Sequence, residues 1–174
     1  SGSPIEDIDQ HNYTLRQRGR MLYMSSPLAT SAINTNRTKA VGIGLTLKPA
    51  IDRETLGLSP EAAEEWQRHT KAEFSLWAKR KDACDATGMN NFNAMQQLAL
   101  VSWLMSGDVF PLIKRRPPDR IRPYSLRIHL VEADRVRTPV EYGGTTYPNI
   151  TNGKNPNTEN RIFDGVEVDA SGMV

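Results

Sequence analysis

Residues 90–110, NNFNAMQQLALVSWLMSGDVF, restrict the fold more than any other stretch of the chain. Asn90 or Asn91 can cap a helix start, because a short amide side chain accepts a bond from the free backbone N–H groups of a first turn. Phe92, Met95, Leu98, Ala99 and Met105 fall at helical steps, and Val101 and Trp103 make the second half apolar nearly all round. Gly107 supplies the left-handed residue that ends a helix. The run is too short to span a bilayer. It is therefore expected to be a central buried helix, with Met95, Leu98 and Trp103 in the core.

A second long helix is expected over 59–81. Ser59 followed by Pro60 is a start signal, since proline lacks only an N–H that a first turn cannot use and serine caps the rest. Ala63, Trp66, Thr70, Phe74 and Trp77 form one stripe, while Glu61, Glu64 and Glu65 sit at the start and Lys79, Arg80 and Lys81 at the end, matching the helix dipole. Tryptophans at this spacing belong to a core rather than to a base-stacking surface. The two helices should pack through Trp66, Phe74, Trp77, Met95 and Leu98.

The remaining segments alternate between helix and strand signals. Residues 14–24 read as a helix with Leu15 and Leu22 inward, and Ser26-Pro27 opens another that runs to about Ala40. Residues 41–47 alternate well enough for a strand, with Gly42 and Gly44 allowing a bend or a close backbone approach rather than a phosphate loop. Val109 to Ile113 reads as an edge or bulged strand because Pro111 lacks a ladder donor. Leu126, Ile128 and Leu130 alternate with Arg127 and His129, a strand with one wet face. The class is α+β, helices packed with a mainly antiparallel sheet. Its expected organisation is a flexible lead-in over 1–13, a core over 14–138, a long polar loop or arm over 139–160, and over 161–174 the start of a hairpin. In that last piece 165–169 is a strand, 170–172 a turn and 173–174 a return strand cut short.

Charge matters through its distribution. Lys and Arg number 22 against 20 Asp and Glu, a formal +2 that identifies no nucleic-acid binder by itself. Yet no acid lies between Asp9 and Asp52, where Arg16, Arg18, Arg20, Arg37, Lys39 and Lys48 are found. A second basic run, Lys114, Arg115, Arg116, Arg120 and Arg122, is stiffened by Pro117, Pro118 and Pro123. Arg16, Arg18, Arg20, Lys114, Arg115 and Arg116 are the candidates for contact with a neighbouring subunit or a DNA backbone. The single cysteine rules out an internal disulfide framework and a cysteine zinc cluster, which suits a reducing compartment. With neither a signal peptide nor a membrane span, a soluble intracellular protein is expected.

Catalytic patterns are missing. His11, His69 and His129 lie in unrelated segments without metal-ligand spacing, and no nucleophile elbow occurs. Cys84 has no evident His or Asn partner. Asp82, Asp85 and Asp108 could be imagined as a metal-binding carboxylate cluster, but more simply Asp85 shapes a turn and Asp108 follows the helix-ending Gly107. No catalytic, metal or cofactor residue is expected, and the chain is not read as an enzyme.

Cys84-Asp85-Ala86-Thr87-Gly88, Phe92, Gln97-Leu98-Ala99-Leu100, Ser102-Trp103-Leu104 and Ser106-Gly107-Asp108-Val109-Phe110 together resemble the lambda-type bacteriophage portal family. Three further segments resemble it in the same order. These are Leu15-Arg16-x-Arg18-x-Arg20 with 26–33, then 41–45, then 126–136. The resemblance implies a structural subunit of a ring, usually a dodecamer, at one capsid vertex, matching the N-terminal part of the body or wing. It implies double-stranded DNA passing non-specifically, with terminase, capsid and head-tail connector proteins as partners and no membrane or cofactor. The virion is then its location, and the host cytoplasm its place of assembly. The residues alone leave a second reading open, a soluble nucleic-acid-binding module using 16–48 and 114–122.

Overall fold

Serine and proline open α3 as the sequence dictates. In the computed structural model, which describes residues 10–137, 152–163 and 165–173, the Ser59 hydroxyl accepts the Ala62 N–H at 3.2 Å and Pro60 is the first helical residue. The helices are α1 (Gln10–Ser25), α2 (Pro27–Ala40), α3 (Pro60–Lys79), the single turn α4 (Lys81–Cys84) and α5 (Phe92–Ser106). The strands are β1 (Phe110–Arg115), β2 (Leu126–Val131), β3 (Asn152–Lys154), β4 (Arg161–Phe163) and β5 (Val166–Val168). The fold is α+β, with two small antiparallel sheets, β1-β2 and β3-β4-β5.

The chain divides into two compact units, one of residues 1–35, 101–110 and 131–174, the other of 36–100 and 111–130. The expected core over 14–138 contributes to both. Of the expected lead-in, 1–9 lie outside the described residues. Helix α1 starts at Gln10, earlier than the pattern at Thr14 suggests. Residues 139–151 of the expected loop also lie outside; of the rest, 152–154 form the strand β3 and 155–160 the turn into β4.

In the second unit the core is Trp77, Ala78, Ala83, Cys84 and Met95, with Phe74, Phe92, Tyr124, Ile128 and Leu130 packed against it. Phe74, Trp77 and Phe92 form an aromatic triangle with ring centroids 5.0–5.6 Å apart. The Trp77 indole N–H donates to the Leu126 carbonyl at 2.9 Å, so its one polar atom is satisfied inside the core. Asp85 accepts from Thr87, Met89 and Asn90 and shapes the turn into α5, where the Asn91 side chain caps by accepting the Ala94 N–H at 2.9 Å. Gly107, at φ +85°, follows the last helical residue.

Several sequence expectations need correction here. The stripe on α3 is buried only in part: Trp66 is 48 % exposed, because it lies roughly 16 Å up the helix axis from Trp77, beyond the core cluster. Leu98 and Trp103 are 46 % and 55 % exposed, so α5 is not a buried central helix within this chain. A helix apolar on all sides needs cover on all sides, and the core cluster takes only Met95 and part of Phe92. The helix expected over 59–81 stops at Lys79, where Arg80 turns extended before α4. Residues 41–47 are not a strand. Gly42 and Gly44 adopt positive φ, and the side-chain amide of Gln96 holds the Leu45 backbone, accepting its N–H at 2.7 Å. The close approach expected of these glycines is found at Gly44, where a Cβ would stand 2.3 Å from the Asn93 side chain.

In the first unit β4 pairs with β3 and β5 in antiparallel register, Ile162 opposite Gly153 and Glu167, and Ile162 is buried. Glu167 accepts from the side chains of Asn155, Thr158 and Asn160, tying the β3–β4 turn to β5. The turn at 170–172 is present, closed by the Gly172 N–H to the Asp169 carbonyl at 3.0 Å. Met173 is not in a strand, and Val174 lies outside the described residues.

Candidate functional site

Helix α1 carries half of the candidate cations, and it inverts the expected pattern. Its leucines at 15 and 22 are exposed, while Arg16 is 5 % exposed. Arg16 Nε donates to the Ser106 carbonyl at 3.3 Å, Nη1 to the Ala133 carbonyl at 3.2 Å, and Nη2 to Asp108 at 2.8 Å. A guanidinium is suited to this, presenting its donors in a fixed planar fork. One of its contacts takes a carbonyl left over in the last turn of α5, and another shares the Ala133 carbonyl with the Val136 N–H. Arg20 forms an ion pair with Asp134. Both Arg16 and Arg20 are thus engaged within the first unit, Arg16 buried and Arg20 partly exposed. Arg18 is exposed, without an ion pair among the described residues.

The other three candidates lie on β1 and the start of the β1–β2 connection. Lys114, Arg115 and Arg116 are all exposed, and none forms an ion pair among the described residues. The connection is closed by the Arg116 N–H donating to the Ser125 carbonyl at 2.9 Å. Asp119, the acid of this hairpin, is committed to its own turn, accepting the N–H groups of Arg122 at 2.7 Å and Ile121 at 2.9 Å. Those bonds, with the charges of Arg122 and Arg116, hold its carboxyl below the usual carboxylate value. At the hairpin's root, Asp82 sits 2.8 Å from Arg80 and 3.9 Å from Arg122, and Arg80 also donates to the Ile121 carbonyl.

Arg127 corrects the expected wet face of β2. It is 8 % exposed, and its Nε and Nη2 have no hydrogen-bond partner among the described residues. Beside it an apolar groove of about 570 Å³ opens in the second unit, lined by Thr70, Phe74, Trp77, Phe92, Tyr124 and Leu126, among others. Glu73 accepts the Tyr124 hydroxyl at 2.8 Å on its wall. The sequence reading missed Arg127, Tyr124 and Glu73. Pro123-Tyr124 beside the basic run was the available signal for an aromatic closing the groove.

Among the described residues no three His, Cys, Asp or Glu side chains converge as metal ligands. Cys84 is fully buried, and burial pushes its thiol pKa up, which disfavours the thiolate. Its sulfur lies 3.6 Å from the Asn90 carbonyl, a packing position. No helix among the described residues is long and apolar enough to cross a membrane.

The chemistry on display is that of surfaces: cations on a stiff hairpin, an apolar groove, and large apolar side chains left uncovered on α1, α3 and α5. No curated protein matches the chain. The family model described as phage portal protein, lambda family, matches residues 1–174. The chain therefore belongs to the lambda family of phage portal proteins, a structural family of capsid-associated oligomers found in the virion.

Proposed function

We propose that this chain forms part of a ring subunit at one capsid vertex, surrounding the channel through which DNA is packaged and later ejected. The family match across 1–174 is the observation that carries this reading. The ring is a homo-oligomer, a dodecamer in its complete form, and it docks the terminase motor during packaging and head-tail connector proteins afterwards. Assembly takes place in the host cytoplasm. Double-stranded DNA passes without sequence readout, since a channel must accept any sequence and backbone charge is common to all. Exposed Leu15, Trp66, Leu98 and Trp103 support an assembled state, because covering large apolar side chains with another surface is favourable.

The alternative, a free-standing nucleic-acid module using 16–48 and 114–122, is weakened in its first segment, where Arg18, Lys39 and Lys48 remain exposed. Arg16 and Arg20 are spent on Asp108, Asp134 and two carbonyls. The packaging role is tested by deleting the coding region from the phage or prophage that carries it. Heads without packaged DNA are the expected result. DNA-filled, infectious particles formed without the protein would overturn the reading.

A further inference from the structure

The β1–β2 hairpin has a composition that water alone does not explain. Lys114, Arg115, Arg116, Arg120, Arg122 and Arg127 stand against Asp119 as its one acid. Arg122 reaches Asp82, and Asp119 is bonded into its own turn with the charge of Arg116 nearby, so Lys114 and Arg115 have no ion pair among the described residues. Arg127 adds a guanidinium whose Nε and Nη2 have no partner among the described residues, a charge poorly screened where water is excluded. Apolar side chains are interleaved with these cations. Ile113 and Ile121 are each 74 % exposed. A polyanion backbone would use the cations and leave the isoleucines in water. A protein surface that is acidic beside an apolar recess uses both.

The second unit itself offers such a surface. Glu61, Glu64 and Glu65 are exposed on the first turns of α3, and of these Glu65 alone forms an ion pair among the described residues, with Arg68 at 3.8 Å. Further along the same helix, the groove of about 570 Å³ is walled by Phe74, Trp77 and Phe92, with exposed Trp66 leading toward it. Tyr124, Leu126 and Ile128 of the hairpin form the groove's other wall, so the patches that differ are the cations and isoleucines at 113–121 and the acidic start of α3. Different complementary patches make a head-to-tail contact, which closes into a ring when the rotation permits.

We infer that the β1–β2 hairpin of one copy docks on the α3 groove of a second copy, its isoleucines entering the groove and Lys114, Arg115 and Arg116 facing Glu61, Glu64 and Glu65. This rests on the ring-subunit reading above. The isoleucines supply the buried area, and the charges fix the register and exclude self-facing pairings.

The test uses the complete protein, with rings counted by negative-stain microscopy and mass photometry. K114E/R115E/R116E and E61K/E64K/E65K should each lower the ring fraction at least tenfold, and the two sets combined should restore it. Neutral K114Q/R115Q/R116Q should fall between. Restoration by the combined set excludes misfolding as the cause of the single-set losses. Normal rings from either reversed set overturn the inference, and so does failure of the combined set when its melting temperature matches wild type. Normal rings with lost salt-dependent DNA retention would assign the hairpin to DNA instead. Absence of rings from wild type would remove the ring reading itself; rings indifferent to the reversals would remove this inference alone.

Discussion

Arg16 on α1 places its Nη2 2.8 Å from Asp108 Oδ2, just past the end of α5, across 92 positions of sequence. The same guanidinium binds the Ser106 and Ala133 carbonyls, so one buried side chain joins three separate stretches of the first unit. Hydrogen bonds from a charged donor contribute more than neutral ones, roughly 1.5–3 kcal/mol. Arg16→Ala is expected to destabilise the protein by about 2–4 kcal/mol in urea unfolding. Arg16→Lys should recover little, since one ammonium does not reproduce the planar fork. Asp108→Asn should cost under about 1 kcal/mol, because that carboxylate is half exposed and well screened. Equal losses from Arg16→Ala and Asp108→Asn would mean that the two carbonyl bonds contribute nothing.

Gly19 reverses the usual helix rule. Alanine normally gains about 1 kcal/mol over glycine inside a helix. Here a Cβ on Gly19 would stand 2.4 Å from the Met105 carbonyl oxygen, a backbone atom that cannot rotate away. Gly19→Ala should therefore destabilise, by about 1–3 kcal/mol as overpacking does. A rise in melting temperature would show that α1 and the end of α5 are less closely packed than this.

The tryptophans of α3 should part company under mutation. Trp77→Ala removes a buried ring and its bond to the Leu126 carbonyl, a loss of about 3–5 kcal/mol. Trp66→Ala in an unassembled protomer should change stability by less than about 1 kcal/mol, while weakening assembly. Urea melts of both variants, read on dissociated protein, make the comparison. Similar losses at the two positions would return Trp66 to the core.

Acid stability should depend on Asp85. Its carboxylate is 3 % exposed; burial pushes its pKa up, but bonds from Thr87, Asn90 and Met89 outweigh this and leave it below 3.8. The folded state thus favours the charged form. The resulting stabilisation is fully present above the unfolded value near 3.8 and is lost as pH falls through the lower folded value. Asp85→Asn should flatten the stability profile in that acid window and cost about 1–3 kcal/mol at neutral pH, where an amide cannot accept every bond. A profile as steep as wild type would place the acid sensitivity elsewhere.

Local signals in the sequence were legible where local physics decides. Ser59-Pro60 opens α3, Asn91 caps α5, Gly107 follows it, and Pro111 lies in a two-stranded sheet where each strand is an edge. Side-chain burial was less legible, because it depends on partners that periodicity does not name. Leu15 and Trp103 look like core and are exposed; Arg16 looks like surface and is buried. The candidate site divided along the same line. The cations at 114–116 form no ion pair among the described residues, and their hairpin carries a single acid, which one sequence window reveals. Arg16 and Arg20 are not free because Asp108 and Asp134 come to them from about a hundred residues away, which no window reveals.

The most direct measurement is electron microscopy of the complete protein, purified without other phage components. The account predicts closed rings with a central channel, with Trp66 and Trp103 less open to a water-soluble quencher in rings than in dissociated protomers. Protomers that stay monomeric at every concentration and salt tested, with both tryptophans equally open throughout, would contradict it.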